Sequence, residues 1–257
     1  MLAKFSRLIT LQKIKCLCKL NMSSTILLKT TDVDIARIQP QAAPATLKNG
    51  SKALYFSYNH GVASGKLDVI SPQVSSSFGL SDYQDNGKFS IIFNYYTEGN
   101  EDPVHSLRTL DEKFDEWAFE LCFTNWEAWF GKTISREIML SRFSRLVKPD
   151  ETEKYPPRGK VGAQADKHGN FMFTVFNGNT RERLDVNTHN ARELVPARSV
   201  VQMVMTYSGI WLNAKGEFGL SRKIKQLVVF PQFGILKELV IPLLGDAVEE
   251  ELETMSD

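Results

Sequence analysis

Cationic and aromatic side chains recur together along this chain, and together they suit one kind of chemistry. Lys215, Arg222, Lys223 and Lys225 follow closely on Tyr207 and Trp211; Lys88 precedes Tyr96; Arg158 and Lys160 form one basic pair and Arg181 and Arg183 another. Cations in a row neutralise phosphates and release their condensed counterions. Rings that face outward stack on bases without regard to sequence, at roughly 1–3 kcal/mol per base. The expected ligand is therefore a flexible polyanion with planar groups, a nucleic-acid single strand. Any one of these lysines and arginines would ordinarily be a solvated surface residue, and Tyr207 and Trp211 suit a core as well as a platform. The clustering is what carries the expectation.

The usual signs of catalysis are missing. There is no Gly-x-x-x-x-Gly-Lys-Ser/Thr loop to cradle phosphate and no Gly-x-Ser-x-Gly elbow. Asp111, Glu112, Asp115 and Glu116 are placed by helical spacing mostly on an exposed face, which does not gather a magnesium site. His60, His105, His168 and His189 are scattered, and Cys16, Cys18 and Cys122 make neither a disulfide framework nor a zinc site. We expect no enzyme activity, no metal and no cofactor. Cysteine usage fits a reducing compartment.

The elements that must hold the cations read mainly as strands. Val200–Leu212 and Phe218–Phe230 are two long β-rich runs joined at Asn213-Ala214-Lys215-Gly216, a hairpin with one packed and one wet face. Earlier strands are expected at Ala53–Tyr58, Lys66–Val74 (disturbed by Pro72) and Phe89–Tyr96. In the last, Phe89, Ile91, Phe93 and Tyr95 point inward and Lys88, Ser90, Asn94 and Tyr96 outward. The period then changes. Leu107, Leu110, Phe114, Trp117 and Leu121 predict an amphipathic helix after Asp102-Pro103 that stops near Gly131. A second helix is expected from a Ser135 cap, with Met139, Phe143, Leu146 and Val147 buried, ended by Pro149. Trp117, Trp126 and Trp129 read as packing. A further hairpin turns at Asp166-Lys167-His168-Gly169-Asn170.

Three strands, a helical insert and more strands is the order of an oligonucleotide-binding (OB-fold) five-stranded barrel, mainly β with a helical insert and an extra hairpin. We divide the chain into a basic, disordered extension and linker (1–50), the OB-fold domain (51–232, with the insert at 102–148) and an apolar segment with an acidic tail (233–257). The acids Asp246, Glu249, Glu250, Glu251, Glu253 and Asp257 stand in the last twelve residues without a base. Removing those six from 30 leaves 24 acids against 31 bases in residues 1–245, a net +7 hidden under the overall +1. A disordered solubilising terminus is the plain reading of such a run. The other is that it mimics a nucleic-acid strand.

Residues 1–31 carry six bases and no acid, the composition of an organelle transit peptide. The reading we prefer is a true start at Met22. No run reaches the roughly 18 apolar residues that span a bilayer.

Several local patterns resemble the single-stranded DNA-binding proteins of short-tailed phages, in the form related to proteins of nucleocytoplasmic large DNA viruses. They are Gly87-Lys88-Phe89-Ser90, Glu127-Ala128-Trp129-Phe130-Gly131-Lys132, Tyr155-Pro156-Pro157, Gly209-Ile210-Trp211-Leu212, and Gly216-Glu217-Phe218-Gly219-Leu220-Ser221 with the acidic C-terminus. The resemblance spans about two thirds of the chain and rests on the order of the patterns, none of which is a strict signature. It implies sequence-nonspecific coating of exposed strands in replication, recombination or repair. It also implies a tail, Asp246, Glu249, Glu250, Glu251 and Glu253, that regulates binding and meets a polymerase or helicase. Location would be a cytoplasmic viral factory or the nucleus, a homodimer is open, and no membrane is involved. One departure is plain: phage members end on an aromatic after the acids, whereas this chain ends Met255-Ser256-Asp257. The rival is a structural or virion β-sandwich protein that binds no nucleic acid.

Overall fold

The computed structural model describes residues 26–82, 87–96, 99 and 101–230. Its frame is the hairpin of β-branched and aromatic runs expected from the sequence, to which three shorter strands are added. In chain order the five are β1 (Val74–Ser81), β2 (Ser90–Asn94), β3 (Arg158–Gly162), β4 (Val200–Leu212) and β5 (Phe218–Phe230). β1 pairs with β2, β2 with β3, β5 with β4, and β4 with β1, all antiparallel; β3 meets β5 in parallel at Gly162 and Lys223. Every strand has two neighbours, so the ring β1-β2-β3-β5-β4 is closed and none of the five is an exposed edge. This is a mainly β, five-stranded barrel consistent with the OB-fold.

Alternation along β4 fills the barrel: Val201, Met203, Met205, Tyr207 and Ile210 are buried, and Phe218, Leu220, Ile224, Leu227 and Val229 answer from β5. The register shifts at Val204/Met205 and again at Tyr207/Gly209, where the ribbon bends. Beyond the ring, β4 carries a second row of neighbours. Leu67–Ile70 pairs with Val204–Tyr207, and Lys52–Asn59 pairs with Gly209–Leu212.

Two expectations change at this level. The stretch 39–49 is no linker: Ile38–Pro40 and Ala45–Thr46 both pair with Lys52–Asn59, and Leu27–Lys29 lies parallel to Leu67–Ile70. The turn 166–170 forms as expected, with Asp166 accepting from the His168 and Asn170 amides and a bridge at Ala165 and Phe171. Past that bridge its two arms pair with successive stretches of β5.

Helix α1 (Pro103–Phe130) starts where the sequence places it, with the Asp102 side chain accepting from the Val104 amide and Pro103 in the first turn. It ends at Gly131 in the left-handed conformation. Leu107, Leu110, Phe114, Ala118, Phe119, Cys122 and Trp126 form its buried stripe. Among barrel strands α1 follows the second, because Lys52–Asn59 and Leu67–Ile70 lie outside the ring. Trp126 is buried, Trp117 and Trp129 are half-buried, and Trp129 donates to the Ala42 carbonyl, so the tryptophan stripe is packing. Helix α2 (Arg136–Arg142) is shorter than expected: Ser135 caps it and Met139 is buried, but Phe143, Leu146 and Val147 lie beyond its end. No helix among the described residues is long and apolar enough to cross a membrane.

Candidate nucleic-acid interface

β3 has two faces with different chemistry. Its inward positions are Gly159 and Val161, and its outward positions are Arg158 and Lys160, both exposed. Register carries the outward row across the sheet. Arg158 lies opposite Asn94 of β2, and Lys160 opposite Ile92. On its other side Arg158 exchanges both backbone hydrogen bonds with Lys148, at 2.8 and 2.9 Å. Residues paired in this way share a face, so Asn94, Arg158 and Lys148 stand side by side.

Rings flank this row. Tyr96, two residues beyond Asn94, is 63% exposed, and Tyr155 is 67% exposed. Lys88 is exposed at the other end of β2. On β5, Lys223 faces outward between Gly162 and Thr206. Lys225, the extra residue of the first register shift, sits 2.6 Å from Asp68 Oδ2. That carboxylate takes much of its charge out of play.

The segment after α2 continues the basic face. Phe143–Ser144 pairs in parallel with Phe218–Gly219, the Leu146 and Val147 amides donate to the buried Asp115 at 2.8–3.2 Å, and Lys148 is locked to Arg158. Arg142, the last residue of α2, Arg145 between the first two anchors and Lys148 at the third are exposed beside the half-buried Trp211. Sequence reading missed all three cations because it buried this segment in a longer helix. The surviving signal was their spacing of three, which on an extended strap still leaves them solvated. Lys215, at the tip of the β4–β5 loop, is exposed next to Gly216, where a methyl group would lie 2.9 Å from the Arg142 guanidinium.

Two predicted contacts are inside the barrel. Tyr207 is 1% exposed and Arg222 4%, so neither reaches a ligand. Tyr207 stacks on Phe114 at 4.5 Å and donates to Asp111 Oδ1 at 2.7 Å. Arg222 forms an ion pair with Asp111 Oδ2, donates to the Lys160 carbonyl at 3.0 Å and to Tyr95 Oη at 3.1 Å, and lies over the Phe93 ring. Tyr95 also donates to Asp111. The expectation that Asp111 and Asp115 are exposed is likewise overturned: they are 0% and 7% exposed. Helical spacing pointed outward, but α1 lies along the barrel, so more than its apolar stripe is covered.

Charge is held firmly in this cluster. Burial, the largest single influence, disfavours the Arg222 cation, yet the Asp111 carboxylate together with the Tyr95 and Tyr207 hydroxyls outweighs it and keeps the guanidinium well above its ordinary value. Burial, then the Asp111 charge, pushes the Tyr207 hydroxyl up; burial does the same to Tyr95. Asp115 is raised to about 6 by burial, against the pull of its backbone donors.

Arg181 and Arg183 stand elsewhere. Arg183 pairs with Phe176 beside Val228, near the far end of β5. At about 3.3 Å per residue, the ten residue steps from Phe218 to Val228 put Arg183 up to about 33 Å along the ribbon from the start of β5. The acids Asp246, Glu249, Glu250, Glu251 and Glu253 and the apolar stretch 233–244 lie outside the described residues. Among the described residues, no group of three or more His, Cys, Asp or Glu is placed to hold a metal ion.

No protein-family model matches this sequence, and no curated protein matches it. Among solved structures, the single-stranded DNA-binding protein of bacteriophage Enc34 in complex with ssDNA is similar at 14% identity and a TM-score of 0.38. The match covers 75% of this chain and 98% of that one. A C-terminal truncation of the same phage protein matches at 13% identity and 0.38, over 76% and 96% of the two chains.

Proposed function

We propose that this protein binds single-stranded DNA without sequence preference and acts by binding rather than catalysis. The observation that carries this is the outward row Asn94–Arg158–Lys148, with Lys160 beside it and Tyr96 and Tyr155 exposed at its end, on the β2–β3 face of a closed five-stranded barrel. In barrels of this class that face and the β4–β5 loop take oligonucleotides. Cations fixed on a strand follow phosphates, and exposed rings accept any base.

On this reading the protein coats exposed strands during replication, recombination or repair, in a viral factory or nucleus. The acidic tail competes with DNA for the basic face and, once displaced, meets a replication protein. A structural β-sandwich role would not require the basic body and acidic end to be separated.

A mobility-shift titration with labelled single and double strands at two salt concentrations tests the reading. Tighter binding to single strands, weakening steeply with salt, is expected; no shift of either strand at low salt refutes it. Removing residues 246–257 is expected to tighten binding at low salt, and unchanged affinity would refute the tail's part.

A further inference from the structure

The groove behind the β4–β5 loop is not accounted for by the barrel face. It is an open cleft of about 520 Å³ bordered by Arg142, Arg145, Lys148, Trp211 and the rim acids Glu151 and Glu217. The backbone that presents its cations is tied at three places: to β5 through 143–144, to Asp115 through 146–147, and to β3 through Lys148. Their side chains have no ion-pair partner among the described residues, unlike Arg158, Arg222 and Lys225. Glu217 is turned to the loop, where Asn213 Nδ2 donates to it at 2.7 Å.

The ring is placed as deliberately. Trp211 is paired with Gly219, where a methyl group would meet its indole at 3.1 Å and the Ser144 carbonyl at 2.6 Å. Glycine therefore lets the indole lie against the ribbon, leaving its remaining surface to the groove. Three unpaired cations on a fixed backbone around one half-exposed indole match a phosphate chain with a base attached.

We infer that the strand, on leaving the β2–β3 face, turns past Arg158 onto Lys148 and runs through this groove, its phosphates on Arg142, Arg145 and Lys148 and one base on Trp211. The inference rests on the strand-binding reading and extends its site beyond the barrel strands. It gives the 143–149 strap a function and makes the binding site longer than the β2–β3 face alone.

The test uses the full chain and a labelled oligothymidylate of about twenty nucleotides. The triple variant R142Q/R145Q/K148Q is expected to bind about tenfold more weakly and to lose about 2 from the slope of log affinity against log salt. Trp211→Phe is expected to keep most of the affinity while abolishing most of the strand-induced change in tryptophan fluorescence, since the other three tryptophans are packing residues. A triple variant with wild-type affinity and slope, or a Trp211→Phe signal like wild type, overturns the groove while leaving the barrel face intact. Wild-type protein that binds no strand overturns the functional reading and the groove with it.

Discussion

Arg222 and Lys223 are neighbours on β5, and they have opposite roles. Arg222 points into the barrel, where Asp111, Tyr95 and the Lys160 carbonyl take up its donors. Lys223 points out, between Gly162 and Thr206. The same split runs along β3: Gly159 faces the guanidinium, where a methyl group would lie 2.7 Å from its nitrogen and 2.5 Å from Phe93, while Arg158 and Lys160 face solvent. A charge inside this barrel ties α1 to the wall; a charge outside stands in solvent, where a ligand can reach it even when, as at Arg158, a carboxylate is near. Pleat direction, more than residue type, decides between stability and binding.

Breaking the inner pair should have the largest effect. Asp111→Ala leaves Arg222 buried without its counter-charge and is expected to cost about 3–5 kcal/mol in chemical denaturation. Replacing both, Asp111→Leu with Arg222→Met, should recover most of that loss, because two desolvation penalties disappear with the attraction. If the pair serves only the fold, the double variant should bind single strands within about twofold of wild type.

Asp115 is the next test, because it holds the strap from inside. Asp115→Ala strands the Leu146 and Val147 amides and should cost about 2–3 kcal/mol. Its pH dependence has a defined sign. The folded carboxyl titrates at about 6 and the unfolded one near 3.8. Between those values the folded state holds a proton that the unfolded state has released, so this group's contribution to stability rises as pH falls from 6 towards 4. Asp115→Asn cannot take up that proton. It should be tolerated better at pH 7.5 than at pH 4.5, and unfolding at the two pH values measures the difference.

Outside the barrel the expected effects move from stability to binding. Arg158→Ala with Lys160→Ala should change unfolding by less than about 1 kcal/mol, as exposed charges usually do. It should reduce the salt slope of strand binding by about 1.4, two contacts at about 0.7 each on a single strand. A pair that lost stability but kept its slope would make the outer row part of the fold instead.

The sequence made the hairpin, α1 and its cap legible because each rests on a local pattern: β-rich runs around a Gly-bearing turn, or apolar residues at helical spacing after Asp102-Pro103. Strand β1 was not legible. Ser75, Ser76, Ser77 and Gly79 carry little β signal, and Gly79 bulges at φ 66° where a methyl group would strike the Val195 carbonyl. Its strand character comes from pairing with β2 and with β4, the latter more than a hundred residues away in sequence. The site was half legible for a related reason. Types and clustering picked out Arg158, Lys160 and Tyr96, but type misled for Tyr207 and Arg222, which keep the buried alternation of Val201, Met203 and Met205 and of Phe218, Leu220 and Ile224. Arg142, Arg145 and Lys148 were hidden because an extended strap held by a buried carboxylate resembles the last turns of a helix.

Arg181 offers the smallest effect and a clean separation of the two roles. It sits at φ 62°, a left-handed conformation that costs a side chain roughly 1 kcal/mol, in a turn where the Asn177 side chain accepts the Asn179 and Thr180 amides. Arg181→Gly should therefore stabilise the fold by about 0.5–1 kcal/mol. Beyond the far end of β5 from the β4–β5 loop, it lies away from the Arg158 row and the groove, so strand affinity should change by less than about twofold. If affinity and salt slope fall while stability rises, the strained arginine is held for a phosphate, and the strand runs the length of the ribbon rather than turning at Trp211.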